Sequence, residues 1–124
     1  MQCIGKLNRN RLGTYAKKML TDDVVLTNER KLHIFENHKN DYNIIMKHIT
    51  KVVLNPYEVL EDLKNADTLF LIGKLKNNYL NVVIKLNTKN DTKHPKNSIM
   101  TAWIIRQRNL QKLREKNKII YKYE

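Results

Sequence analysis

Tyr79-Leu80-Asn81-Val82-Val83-Ile84-Lys85-Leu86 is the stretch that decides the fold class. Leu80, Val82, Ile84 and Leu86 alternate with Tyr79, Asn81, Val83 and Lys85. That period of two predicts a strand with one apolar face and one face carrying polar groups, Lys85 among them. Working outward, 68–75 and 57–63 precede it with the same pattern and 98–106 follows it. Asn77-Asn78 joins 68–75 to 80–86 as a hairpin turn, since Asn tolerates positive φ. The expectation is an antiparallel sheet with helices on one side.

The period changes before residue 57. Residues 22–27 read as a short strand whose end, Thr27 or Asn28, can cap the helix that follows. Residues 28–38, NERKLHIFENH, lack Gly and Pro and predict that helix. Leu32 and Phe35 are expected on its core side, and Arg30, His33 and Asn37 on a polar stripe. Lys39-Asn40 interrupts it. A second helix opens at Asp41-Tyr42 and runs through Ile44, Ile45, His48, Ile49 and Val52 until Asn55-Pro56 ends it. Residues 4–8 suggest a short strand and 13–20 a helical turn. After Arg106, RNLQKLREK predicts a short basic helix and IIYKY a final strand. Helices first and a meander of strands after them make the class α+β, with N-terminal helices packed on the sheet.

The 124 residues fit one domain, and 41% apolar residues can build its core without disulfides. Cys3 is the single cysteine, so no intramolecular disulfide forms. No apolar run nears the ~20 residues that span a bilayer. Residues 1–13, MQCIGKLNRNRLG, lack the apolar stretch and cleavage site of a secretory signal. A cytoplasmic site of action is therefore expected, with delivery as toxin cargo as the route out.

Charge narrows the partners. Residues 1–62 carry 10 basic and 8 acidic side chains, whereas 63–124 carry 14 and 4. Nearly all of the net +12 lies in the second half, which attracts polyanions. Eighteen lysines against 6 arginines, with many Asn, also match the compositional drift of an AT-rich genome. In 106–118, Arg106, Arg108, Lys112 and Arg114 are the expected phosphate-backbone contacts.

His33-Ile34-Phe35-Glu36-Asn37-His38 approaches a zinc signature with the wrong spacing. Histidines five apart diverge by about 140° on an ideal helix and cannot share an ion. His48, His94 and Cys3 have no ligand spacing either, so no metal or other cofactor is expected. Asp22, Asp23 and Glu29 are not spaced as a Mg²⁺ cluster, which argues against a metal-dependent DNase. As acid–base groups near pH 7 the histidines make better sense.

An ordered set of segments carries a resemblance. Glu29-Arg30-Lys31-Leu32-His33-Ile34 with His38 is followed by Asn55-Pro56-Tyr57, the 80–86 strand, Lys96-Asn97-Ser98-Ile99-Met100-Thr101 and Ile120-Tyr121. Over residues 22–123 the chain resembles the phage-type branch of the Barnase–EndoU–colicin–RelE nuclease superfamily. The resemblance implies a nuclease domain over 22–124, built as two N-terminal helices packed on a four- or five-stranded antiparallel sheet, with residues 1–21 as an unmatched extension. It implies a metal-independent endoribonuclease, a toxin or a phage or mobile-element effector, with RNA as substrate and an immunity or antitoxin protein as partner. A monomer is expected. The implied site is Arg30, His33, His38, Lys85, Ser98, Thr101 and Tyr121, with His33 foremost.

Lys85 stands where the family pattern has arginine, and lacks the planar fork that grips phosphate twice. Ser98 and Thr101 are three apart, so strict alternation places them on opposite faces unless a bulge intervenes. Trp103 is expected in the core. The alternative to an enzyme is a non-catalytic nucleic-acid-binding or phage structural module with the same fold.

Overall fold

The computed structural model describes residues 2–89 and 95–123; His94 and the middle of the 87–97 loop lie outside the described residues. Its strands are β1 (Gln2–Lys6), β2 (Asp23–Leu26), β3 (Glu58–Glu61), β4 (Thr68–Lys74), β5 (Tyr79–Lys85), β6 (Asn97–Ile105) and β7 (Lys118–Lys122). Its helices are α1 (Tyr15–Lys18), α2 (Asn28–Asn37), α3 (Tyr42–Leu54) and α4 (Gln107–Lys116). The class is α+β, but the sheet formed by the described residues has seven strands, in the order β1-β2-β6-β5-β4-β3-β7, and is mixed. β2 pairs with β6 in parallel through Val24↔Asn97 and Val25↔Ser98; the other pairings are antiparallel. The expected four or five antiparallel strands fall short because the short strands read near 4–8, 22–27 and 119–123 join the same sheet as β1, β2 and β7.

Alternation along the central strands sorts two cores. Leu69 and Leu71 of β4, with Leu80, Val82 and Ile84 of β5, pack with Ile45, Ile49, Val52 and Val53 of α3. Each such buried side chain contributes about 1.5–3 kcal/mol. Phe70, Ile72 and Val83 point the other way and pack with Leu60, Ile105 and Leu110 of α4. Helices therefore cover both faces rather than one. The side of β5 expected to be polar is instead largely buried, and Asn81 is fully so.

Residues 2–21 are built into this fold and are not an appended extension. β1 pairs with β2, and Leu7, Leu12, Tyr15 and Met19 join the α3-side core.

The 76–78 turn closes on Leu75 N–H donating to the Asn78 carbonyl at 2.9 Å. Neither Asn uses positive φ; among non-glycine described residues Asp67 does, at 58°. The hairpin expectation holds without its left-handed turn.

Candidate functional site

A cleft of about 490 Å³ opens where the first turn of α2, the end of β5 and the start of β6 meet. Arg30, Lys85 and Ser98 line it together. They are brought from three distant segments by three local devices. The Thr27 hydroxyl caps α2 by accepting the Arg30 N–H at 3.2 Å, which fixes the turn carrying Glu29 and Arg30. The Lys85 ammonium donates to the Ala66 carbonyl at 2.5 Å, tying the end of β5 to the chain entering β4. Asn97, fully buried, donates to the Thr21 and Asp23 carbonyls at 2.9 and 3.0 Å and accepts the Asn87 N–H at 2.8 Å. That clip holds β2, β6 and the 87 loop together and sets Ser98 beside them.

A bulge settles Thr101. β6 pairs Lys85↔Ser98 and Val83↔Thr101, with the register shift between them. Directly opposed residues share a face, as do Val83 and Lys85 two apart on β5. So Lys85, Ser98 and Thr101 all lie on one face, although Ser98 and Thr101 are three apart, because one residue of β6 is extra. Trp103, opposite Asn81, shares that face and is half-buried.

On α2 the side turned to the sheet differs from the one expected. Ile34 is fully buried, whereas Leu32 and Phe35 are 55% and 44% exposed. Counting Leu32–Phe35 as the core pair fails because α2 flanks β6 beyond the short β2, touching it along a narrow stripe. That stripe runs Arg30/Lys31, Ile34, His38, at helical spacing with half-buried ends. Phe35 instead meets Tyr42 edge-on at 5.1 Å.

The histidines therefore separate. His33 is exposed and outside the cleft lining, its ring nitrogen 3.2 Å from the Asn37 amide. His38 ends α2 with its ring stacked on Trp103 at 6.4 Å. It stands at the far end of the Ser98–Thr101–Trp103 face, about 12 Å along the helix from Arg30 at ~1.5 Å per residue. Tyr121 is not part of this group. It lies on edge strand β7 opposite Val59, packed against the α3-side core with the Arg11 guanidinium 5.0 Å above its ring.

The cleft also holds groups that motif reading passed over. Lys89 and Lys96 add positive charge, and Glu29 and Asp67 add carboxylates. Lys96 pairs with Asp23 at 2.5 Å. Its hydrogen bond and its charge hold the Asp23 carboxyl below the ordinary range, and Asp23 in turn raises Lys96. Asp67 accepts the Thr88 hydroxyl at 2.9 Å, whereas Glu29 has no ion-pair partner among the described residues. Glu29 sat inside the quoted helix motif and could have been found there; Asp67 is delivered by its left-handed turn, which no spacing announces.

Of the expected backbone contacts, Arg106, Arg108 and Lys112 are exposed on or beside α4. Arg114 is not available. It makes a two-point ion pair with fully buried Glu58 at 2.7 and 2.6 Å, and that hydrogen bond raises its pKa. Among the described residues no group of three metal-ligating side chains occurs, and no helix is long and apolar enough to cross a membrane.

No family model, no curated protein and no solved structure matches the chain.

Proposed function

We propose that this cleft binds a phosphodiester and that the protein is a metal-independent endoribonuclease. The observation that carries the reading is the convergence of Arg30, Lys85 and Ser98 in one cleft. Arg30 and Lys85 offset the charge that builds on phosphorus-bound oxygens, and the Ser98 hydroxyl donates to one of them. A base removes the proton of the ribose 2′-hydroxyl, the 2′-oxygen attacks the adjacent phosphorus, and the 5′-oxygen leaves with a proton from an acid. RNA supplies its own nucleophile.

Glu29 is the proton acceptor this geometry favours: neither cleft carboxylate has an ion-pair partner among the described residues, but Asp67 already accepts the Thr88 hydroxyl. His33, one helical turn from Arg30 and outside the cleft lining, would return the proton to a leaving oxygen held at the cleft's rim. His38 and Thr101 extend the same face and would contact a neighbouring nucleotide. A toxin or mobile-element effector held in check by an inhibitor protein is the biological setting that fits such an enzyme.

One observation favours a non-catalytic nucleic-acid-binding module instead: among the described residues no histidine lines the cleft. A single assay separates the two. Total RNA incubated with the protein in EDTA is expected to yield fragments ending in 2′,3′-cyclic phosphate. Glu29→Gln and His33→Ala are each expected to slow the cut by about 10²–10⁴-fold. Binding without fragments would select the module.

A further inference from the structure

A second cleft, of about 710 Å³, lies past the opposite end of β4, where α3 meets the β4–β5 hairpin. Asp67 of the first cleft precedes β4 and Gly73 of the second nearly ends it. The two are about 20 Å apart along a strand rising ~3.3 Å per residue.

Its walls are brought together by a glycine. A Cβ at Gly73 would come 2.2 Å from Cγ2 of Val52, so only glycine lets α3 seat this closely on β4. The neighbours of that contact, Lys51 on α3 and Lys74 on β4, thereby enter one cavity. Lys76 and Arg11 complete a set of four cations, and among the described residues no carboxylate lines the cavity. None of the four takes part in an ion pair among the described residues. Arg11 is held in place by donating to the Pro56 carbonyl at 2.7 Å.

Beside the cations stand paired rings. Tyr57 and Tyr123 have centroids 6.0 Å apart, and the Lys74 ammonium sits 5.5 Å from the Tyr57 ring. The backbone behind them is pinned, with Tyr123 N–H donating to the Tyr57 carbonyl at 2.8 Å and Tyr57 N–H to the Ile72 carbonyl at 2.7 Å. Tyr123 nonetheless remains 57% exposed. Unpaired cations around an accessible ring match a ligand with an anionic part and a flat part. A volume in the range of small-ligand sites fits one such unit.

We propose that this second cleft binds a nucleotide unit, its phosphate among Lys51, Lys74, Lys76 and Arg11 and its base against Tyr123. The site stands whether or not the first cleft cuts RNA. The unit is either a free nucleotide or one residue of a single strand.

The test is a backbone-amide NMR titration of the full chain with UMP, with an uncleavable 2′-O-methyl hexauridylate, with inorganic phosphate and with hexaglutamate. Shifts at Lys74–Lys76 and Tyr123 are expected, separate from any at Arg30 and Ser98. UMP binding as well as the hexamer would identify a free nucleotide; binding of the hexamer alone would identify a strand. Tyr123→Ala, at an exposed position, is expected to weaken nucleotide binding about tenfold while leaving phosphate binding unchanged. Lys74→Glu with Lys76→Glu should abolish both. The proposal is overturned if phosphate or hexaglutamate binds as tightly as the nucleotide ligands, if Tyr123→Ala changes nothing, or if shifts appear only at the first cleft.

Discussion

The two faces of the sheet are covered by helices yet built on different chemistry. The α3 face is filled almost wholly by aliphatic side chains from β1 through β6 and from the first 20 residues. The α4 face buries Glu58 under Arg114, buries Asn81 with neither amide atom hydrogen-bonded, and carries Lys85, Ser98 and Thr101 at its open end. One face is stabilised chiefly by volume. The other keeps polar groups that a purely structural surface would replace, and it is the face on which the first cleft opens.

If the comparison is right, the two faces answer differently to substitution. Arg114→Ala leaves the Glu58 carboxylate buried without its partner, so a loss of about 3–5 kcal/mol in urea unfolding is expected. Replacing both residues with leucine should recover most of it, because the partnerless charge is gone. On the α3 face Leu71→Ala should lose about 2–5 kcal/mol through cavity formation, with no second substitution of charge able to restore it. An Arg114→Ala protein as stable as the parent would break the contrast.

Tyr15 sharpens the comparison, being a titratable group set into the apolar face. Burial, then its hydrogen bond to Glu61 and the charges of Glu61 and Asp67, push its hydroxyl up to about 12. The folded state holds this proton more tightly than the unfolded state, whose value is near 10. Its contribution is therefore complete below pH 10 and lost as pH rises through 12. Tyr15→Phe should flatten stability over pH 10–12; an unchanged slope would remove Tyr15 from the account. The smallest effect expected is at Asn81. Asn81→Leu removes two buried polar atoms without partners and should raise stability by about 1 kcal/mol. A loss there instead would mean that Asn81 is satisfied in solution.

What the sequence revealed follows from how local each signal was. Alternation in 80–86 and 98–106 located the central hairpin, and Thr27 located the start of α2 within the residues that cap it. The side of α2 was misread because Leu32 and Phe35 satisfy a three-residue spacing equally well. Only the position of α2 beside β6 selects Ile34. In the site, Arg30, Lys85 and Ser98 converge as their motif order implied, whereas Tyr121 lies across the sheet. Thr101 needed a bulge, and a bulge is a property of two paired strands rather than of either one. Arg114 belongs to Glu58 for the same kind of reason: a charge 56 positions away in sequence is invisible until β3 and α4 are packed.

The most direct test of the central claim is RNA cleavage in EDTA by the parent protein and by Lys85→Ala. Lys85 is exposed and its replacement removes one hydrogen bond, to the Ala66 carbonyl, so a stability loss of only about 1 kcal/mol is expected. The cleft account predicts cyclic-phosphate fragments from the parent and a rate lower by about 10²-fold or more in the variant. Fragments formed by Lys85→Ala at the parental rate would contradict it, as would a parent protein that binds RNA and never cuts it.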